Sequence, residues 1–166
     1  MLIGEAEKRD GNNGSKFQNG DTLFARITPC LENGKTGFVQ FLPDSESVAF
    51  GSTEFIVLRS RTLCPEYVYL MARSEAFREN AIKSMSGSTG RQRVQERCFE
   101  KFTIANPPSE IVLQFHNILQ PLFKLIQVLN LQSVNLRKTC DLLLPKLISP
   151  EISVEYFEPE TASQVS

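Results

Sequence analysis

Residues 115–147 read FHNILQPLFKLIQVLNLQSVNLRKTCDLLLPKL, and apolar side chains recur in this stretch every seven residues. Such a heptad pattern is typical of a helix that pairs with another helix in a coiled coil. At about 1.5 Å per residue the helix extends on the order of 55 Å, which is more than a small domain covers. We therefore predict that most of this seam contacts a partner. The seam consists of Phe115, Leu119, Leu122, Ile126, Leu129, Leu136, Cys140, Leu143 and Leu147.

Prolines and polar residues modify the pattern. Pro121 and Pro145 each remove a helical hydrogen bond and are predicted to bend the helix. Gln132 and Ser133 place polar groups near the middle of the seam, where such residues fix register and orientation. The alternative interpretation is an amphipathic helix that lies along its own domain.

The sequence divides where Pro107 and Pro108 precede the helix. Ser109 is suited to cap the helix, and Glu110 is placed at its positive end. We predict a mixed domain over 1–107, a long helix over 108–149 and an acidic tail over 150–166.

The first region is rich in turns and predicts an α+β domain. Strands are expected at 22–27, 38–42 and 55–58, with a turn at 32–35 and a further short strand at 102–104. Pro65 is placed to begin one helix, and Ser74 to cap a second helix in which Phe77, Ala81 and Met85 share a face.

Composition excludes several classes of protein. The 166 residues are 41% hydrophobic and 22% charged, as in globular domains, and the net charge of −1 argues against a histone-like binder. No apolar run reaches the roughly 20 residues that cross a membrane. The four cysteines lie at least 34 residues apart and His116 is the single histidine, so neither a metal site nor a cofactor is predicted. His116 is interpreted as structural, without an acid nearby. Isolated cysteines suit the reducing cytoplasm.

The segment 84–97, SMSGSTGRQRVQER, combines glycines, hydroxyls and arginines. It lacks the spacing of a P-loop and of a dinucleotide fingerprint, which argues against a nucleotide enzyme. Residues 83–101 carry five cations and two acids, whereas residues 1–107 carry 14 basic and 13 acidic residues. Arginine forks suit phosphate oxygens and guanine edges. A plain surface loop beside a salt-bridged helix start is the alternative.

The motif Asn106-Pro107-Pro108-Ser109 is close to the catalytic motif of amino-methyltransferases, where an aromatic residue follows the prolines. Serine stands at that position here, and no glycine-rich cofactor strand precedes it. We interpret the motif as the hinge before the helix.

Three blocks together resemble the target-recognition domain of the specificity subunit of type I restriction–modification enzymes. They are GDTLFARITPCLENGK at 20–35, GSTEFIVLR at 51–59 and SMSGSTGRQRV at 84–94. The segment LLLPKLI at 142–148 resembles the spacer helix that follows such domains.

The resemblance implies a non-catalytic protein that binds double-stranded DNA. In that family each recognition domain reads one half of a split target, and two antiparallel helices set the gap between the halves. The helices also dock methyltransferase subunits, and the complex recruits the restriction subunit. This chain has one domain and one helix, as expected of a half subunit or a fragment. The match begins near Ser15, as an N-terminally truncated recognition domain would show.

On this hypothesis the loops at 26–35 and 86–93 contact DNA, and the helix forms a homodimer with a second copy or covers a methyltransferase subunit. The competing class is a coiled-coil interaction module without a DNA role. Phosphates or guanine edges are expected to be bound by Arg26, Lys35, Arg91 and Arg93. Base reading or phosphate hydrogen bonds are expected from Thr28, Asn33, Ser88 and Gln92.

Overall fold

The computed structural model describes residues 13–88 and 90–149, so the acidic tail predicted at 150–166 lies outside the described residues. Within these ranges the chain forms five strands, three α-helices and one 3-10 helix, and the α+β class is confirmed. The strands are β1 (Ser15–Phe17), β2 (Thr22–Ala25), β3 (Thr36–Phe38), β4 (Ala49–Gly51) and β5 (Phe55–Leu58). The helices are α1 (Pro65–Arg73), α2 (Glu75–Lys83), the 3-10 helix (Glu96–Phe99) and α3 (Ser109–Ile148).

Strand β2 is the centre of a three-stranded antiparallel sheet in the order β3-β2-β5. All four of its residues are buried, because successive side chains enter two different cores. Leu23 joins Phe17 and Val39 on one face, whereas Phe24 joins Leu31 and Phe77 among others on the opposite face. The uninterrupted apolar run of β2 therefore reflects a strand that is covered on both sides.

A buried carboxylate links two of the sequence blocks. Asp21, just before β2, is 1% exposed and accepts the backbone N–H of Gln18 at 2.7 Å. Arg59, just after β5, donates from Nε and Nη2 to the two Asp21 oxygens at 2.8 and 2.6 Å. This bidentate pair satisfies the buried charge and joins the start of β2 to the end of β5.

Strands β1 and β4 form a separate two-stranded antiparallel sheet that the sequence did not predict. Gly14 precedes β1 with a φ of 122°, and a Cβ there would lie 1.8 Å from the carbonyl oxygen of Gly51. The close approach of the two backbones therefore requires glycine at position 14.

Helices α1 and α2 begin where the sequence predicted. Pro65 occupies the first turn of α1, and the Ser74 hydroxyl accepts the Phe77 N–H at 3.3 Å to cap α2. Phe77 and Ala81 are buried in the core beneath β2, and Met85 packs against that core. Capping and helical periodicity are local signals, which is why they could be predicted without tertiary information.

Two strand predictions need correction. The strand expected at 38–42 is instead β3 at Thr36–Phe38, because residues 36–38 pair with β2. The segment 102–104 is not a strand. The Phe102 ring instead meets the Phe77 ring edge-on at 5.1 Å, so this residue contributes to the core through its side chain.

The first compact unit ends at Val128 and includes the first half of α3. Phe123 is 7% exposed and packs edge-on against Phe38 and Tyr69, with ring centroids 5.0 and 5.6 Å away. Gln40 Nε2 donates to the Phe123 carbonyl at 3.1 Å, and Gln127 Nε2 donates to the Gln40 carbonyl. The first half of α3 is therefore part of the folded domain.

The interpretation of His116 as a residue without an acid nearby was wrong. His116 Nδ1 lies 2.8 Å from Oε2 of Glu66, a buried carboxylate in the first turn of α1. The thiol of Cys64 is close to the same carboxylate, and burial raises its pKa above the ordinary value. A thiol of this kind remains protonated at neutral pH and is a poor nucleophile.

The second compact unit begins at Leu129 and contains the rest of α3. The helix continues through Pro121 and Pro145 without interruption. The seam residues Leu129, Leu136, Cys140, Leu143 and Leu147 are all exposed. Among the described helices, none combines the length and apolar character needed to cross a membrane.

Candidate nucleic-acid interface

The two loops predicted to contact DNA are joined by backbone hydrogen bonds. Ile27 and Arg93 form an antiparallel bridge. The Thr28 N–H donates to the Gln92 carbonyl at 3.2 Å, and the Val94 N–H donates to the Arg26 carbonyl at 2.8 Å. Segments separated by more than 60 residues in sequence are therefore adjacent in the fold. The eight predicted DNA-contacting residues lie on these two adjoining segments.

Buried anchors hold each loop on the core. Val94 is 0% exposed and Leu31 is 1% exposed, and both belong to the cluster around Phe24. The polar residues of the loops flank these anchors in sequence. The core consequently fixes the backbone from which the polar side chains extend.

The loop at 86–93 closes as a narrow turn. Ser86 and Arg93 exchange backbone hydrogen bonds of 3.1 and 2.9 Å, and the Arg91 N–H donates to the Ser88 carbonyl at 3.0 Å. Gly87 has a φ of 128°, and a Cβ at this position would lie 3.2 Å from the Arg91 carbonyl oxygen. Glycine is needed for this turn, which leaves Ser88 and Arg91 exposed.

The loop at 26–35 is held by its own backbone. Leu31, Asn33 and Lys35 donate their N–H groups to the carbonyls of residues 27, 29 and 30 at 3.0, 2.9 and 3.0 Å. The Arg78 guanidinium donates to the Glu32 carbonyl at 3.0 Å. Helix α2 thus supports the loop through Arg78, while the Asn33 and Lys35 side chains remain exposed.

Two of the four predicted cations already have acidic partners. Arg93 donates from Nε and Nη2 to the two carboxylate oxygens of Glu54 at 2.9 and 2.5 Å. This hydrogen bonding lowers the pKa of Glu54 and raises that of Arg93. Arg26 lies 3.2 Å from a carboxylate oxygen of Glu96 and 3.5 Å from the Val94 carbonyl. Arg26 therefore links its loop to the segment that follows Arg93, whereas Arg93 fixes its own loop to Glu54 just before β5.

The other two cations are available to a ligand. Arg91 and Lys35 are exposed, and their side chains make no hydrogen bond or ion pair with any described residue. On the same loop as Lys35, Arg26 Nε and Thr28 Oγ1 are buried and find no partner in the described ranges. The exposed Arg91 and Lys35 side chains are therefore suited to bind an anionic ligand, whereas the two buried atoms are not accessible to one in this conformation.

Comparison with known proteins gives two relatives from Escherichia coli. The chain is 33% identical over 109 residues to the type I restriction enzyme EcoAI specificity subunit, covering 62% of this chain and 18% of that protein. It is 37% identical over 95 residues to the type I restriction enzyme EcoEI specificity subunit, covering 56% of this chain and 16% of that protein. The resemblance to type I specificity subunits is confirmed.

The chain spans less than a fifth of the length of these two specificity subunits. No family model matches the sequence. The similarity therefore concerns one part of a much longer protein.

Sequence reasoning missed the acidic partners of the interface. Glu54 lies in the block at 51–59, and Glu96 begins the 3-10 helix, but neither was predicted to pair with an arginine. Arg78 was also missed, because its role depends on the packing of α2 against the loop. The one signal in the sequence that indicates such pairing is an acidic residue directly before a predicted strand, as Glu54 is before β5, in a domain that also contains an arginine-rich loop.

Proposed function

We propose that this chain is the DNA-recognition component, a specificity half subunit, of a type I restriction–modification system, and that it is not itself catalytic. The observation that carries the proposal is the joining of the two predicted loops into one exposed surface with free cations. The similarity to the EcoAI and EcoEI specificity subunits supports the same role.

The free cations are proposed to bind the DNA backbone. Arg91 and Lys35 extend from neighbouring loops without competing acids among the described residues, so phosphate contacts displace no ion pair. Arg93 is proposed to act mainly by position, because its bond to Glu54 fixes the turn that presents Gln92. Phosphate contacts orient a protein on the duplex, and base contacts then discriminate sequences.

Sequence discrimination is proposed to come from the polar residues between these cations. Asn33 and Ser88 are exposed near the loop tips, while Gln92 and Thr28 lie where the two loops meet. Amide side chains pair with adenine edges, and hydroxyls bond to several bases. One such surface is suited to reading one half of a split target.

Helix α3 is proposed to provide the spacer and the assembly surface. Its seam residues Leu129, Leu136, Cys140, Leu143 and Leu147 are all exposed, so they are accessible to a partner. An antiparallel pair with a second copy places two identical domains on a palindromic split site. The methyltransferase subunits then dock on the paired helices, and the restriction subunit joins through that complex.

The test is a gel-shift titration of the chain together with the methyltransferase subunit. The DNA is a duplex that the complex has selected from a pool of random sequences. We expect the double variant Arg91→Ala, Lys35→Ala to bind more weakly. The slope of log affinity against log salt concentration should also become shallower by about 0.9 for each phosphate that the variant no longer binds. Arg61→Ala is the matched control, because Arg61 is exposed and follows β5 beyond Leu58, at the end of the sheet opposite to Arg26 and Glu54. Equal affinity of the double variant and the control would contradict this interface.

A coiled-coil interaction module without a DNA role is the second candidate, and the exposed apolar residues of α3 favour it. The net charge of −1 agrees with it as well. In that case the chain self-associates or binds a partner through α3 but selects no duplex, with or without the methyltransferase subunit.

A further inference from the structure

We propose that Cys64, Glu66 and His116 form a binding site for a zinc-type divalent transition metal ion. One sulfur, one carboxylate oxygen and one imidazole nitrogen from these residues lie within 4.8 Å of one another. The cluster was not predicted from the sequence, because the spacing of paired cysteines gives no information on residues that two helices bring together.

The fold presents the three ligands from two directions. Cys64 occupies the N-cap position of α1 without a side-chain capping bond, and Glu66 lies in the first turn of the same helix. His116 comes from the early part of α3 and reaches Glu66 with Nδ1 2.8 Å from Oε2. Phe115 and Tyr67, the neighbours of His116 and Glu66, pack edge-on with ring centroids 5.9 Å apart. This packing holds the two helices together beside the cluster.

Burial distinguishes the cluster from an ordinary surface group of acids. Cys64 is 7% exposed and Glu66 is 4% exposed. The His116 side chain is 30% exposed, so the solvent approaches from the histidine side. A buried carboxylate is costly unless its charge is balanced. A divalent cation that binds here displaces the Cys64 thiol proton to solvent and then balances the resulting thiolate and the Glu66 carboxylate, while His116 binds as a neutral imidazole.

The ligand set selects the kind of ion. Thiolate and imidazole favour zinc and similar transition metals, whereas calcium and magnesium require oxygen ligands. In a tetrahedral zinc centre the ligand atoms lie about 3.5 Å from one another. Binding therefore requires the Glu66–His116 pair, now 2.8 Å apart, to open slightly and any pair near the 4.8 Å limit to close by about 1.3 Å. Three protein ligands leave a fourth tetrahedral position for water.

Metal binding at this site joins the start of α1 to α3 within the first compact unit. It strengthens a contact that the Glu66–His116 pair already makes. None of the three residues belongs to the loops at 26–35 and 86–93, so variants of the site leave the proposed DNA-contacting residues unchanged.

The test is a titration of the full chain with cobalt(II), a spectroscopic substitute for zinc, under reducing conditions. A thiolate ligand produces a charge-transfer band in the near ultraviolet, and a tetrahedral centre produces intense visible bands. We expect both to appear, to saturate at one cobalt per chain and to disappear when zinc is added. A native chain that shows no thiolate band overturns the proposal.

Matched variants locate the site. Cys64→Ser should abolish the charge-transfer band, while Cys140→Ser, which changes an exposed cysteine of α3, should leave it unchanged. A band that survives Cys64→Ser and is lost with Cys140→Ser also overturns the assignment. Circular dichroism reports whether each variant keeps its helices.

His116→Gln keeps the proposal falsifiable if Cys64→Ser fails to fold. The histidine is partly exposed, so the amide fits there with little change in packing. Zinc should raise the melting temperature of the native chain and of Cys140→Ser but not that of His116→Gln. An equal rise in all three would show that zinc binds elsewhere.

Discussion

The two halves of α3 carry the same apolar pattern but lie in different surroundings. In 109–128, Phe123 is 7% exposed and Leu119 packs on the same aromatic cluster. In 129–148, Leu129 is 51% exposed and Leu136 is 66% exposed. The heptad positions Leu122 and Ile126 of the first half are nevertheless 49% and 47% exposed, so from Leu122 onward the seam is exposed in both halves. The heptad pattern therefore did not indicate which side chains of α3 the domain covers.

The largest effect is expected at Phe123. Phe123→Ala removes a ring that contacts Phe38 and Tyr69, so the free energy of unfolding should fall by about 3–5 kcal/mol. Urea denaturation at a protein concentration that keeps the chain monomeric measures it. Leu136→Ala changes an exposed residue in the second half. It should alter the free energy of unfolding of the monomer by less than about 0.5 kcal/mol. Similar losses for both variants would break the contrast.

The next effect concerns association through the second half. Leu136→Asp with Leu143→Asp places two charges on the predicted seam and should weaken self-association by at least about 100-fold, or about 2.7 kcal/mol. Light scattering across a concentration series reports the change. The control, Leu131→Asp with Leu142→Asp, makes the same substitutions at exposed leucines on the opposite side of the helix. A native chain that remains monomeric at tens of micromolar removes the homodimer from the proposal.

A smaller effect is expected where α3 is joined to the domain by polar contacts. Gln127→Ala removes a donor to the Gln40 carbonyl and should cost about 1 kcal/mol. Gln132→Ala, an exposed glutamine in the second half, should have no measurable effect on the monomer. Comparison of the urea midpoints of the two variants shows where along α3 the contact with the domain ends. Indistinguishable midpoints would mean that the domain contact of α3 ends before residue 127.

The smallest effect on stability is expected away from α3, at the partly exposed ion pair of Glu54 and Arg93. This pair lies outside both halves of α3, so its loss provides a reference value for the effects measured there. The pKa of Glu54 is lowered from 4.5 by hydrogen bonding from Arg93. The contribution of the Glu54–Arg93 pair to folding stability is therefore present above pH 4.5 and is lost as the pH falls through the lowered pKa of Glu54. Glu54→Gln should reduce the acid sensitivity of the melting temperature slightly and leave the helical signal of α3 unchanged. An unchanged acid profile would show that the pair contributes nothing to stability.

Local signals in the sequence were sufficient for much of the fold. The run Phe55–Leu58, the proline that begins α1 and the serine that caps α2 all appear where they were expected, because each acts within a few residues. The long helix was predicted as well, but Ser109 is its first residue and not its cap, because the Pro108 carbonyl accepts the Ile111 and Val112 N–H groups. Strands β1 and β4 were missed because three residues, SKF or AFG, are too short to show a period of two.

Tertiary pairings account for what the sequence did not show. Phe123 lies beside the heptad position Leu122, so its burial became apparent only once β3 and α1 placed two aromatic rings against it. Likewise, nothing in the sequence distinguishes Glu54 and Glu66 from other acidic residues, because their partners Arg93 and His116 are brought to them only by the fold. The loops at 26–35 and 86–93 were selected because they belong to blocks of one family resemblance, and nothing in their spacing indicated the contact that the structure shows between them.

We propose that one domain and one helix read half of a split DNA target. The decisive experiment is a selection from a pool of random duplexes by the chain, together with the methyltransferase subunit. We expect enrichment of one short half-site in two inverted copies with a fixed gap between them. If a folded and associated complex enriches no sequence, the proposal is wrong.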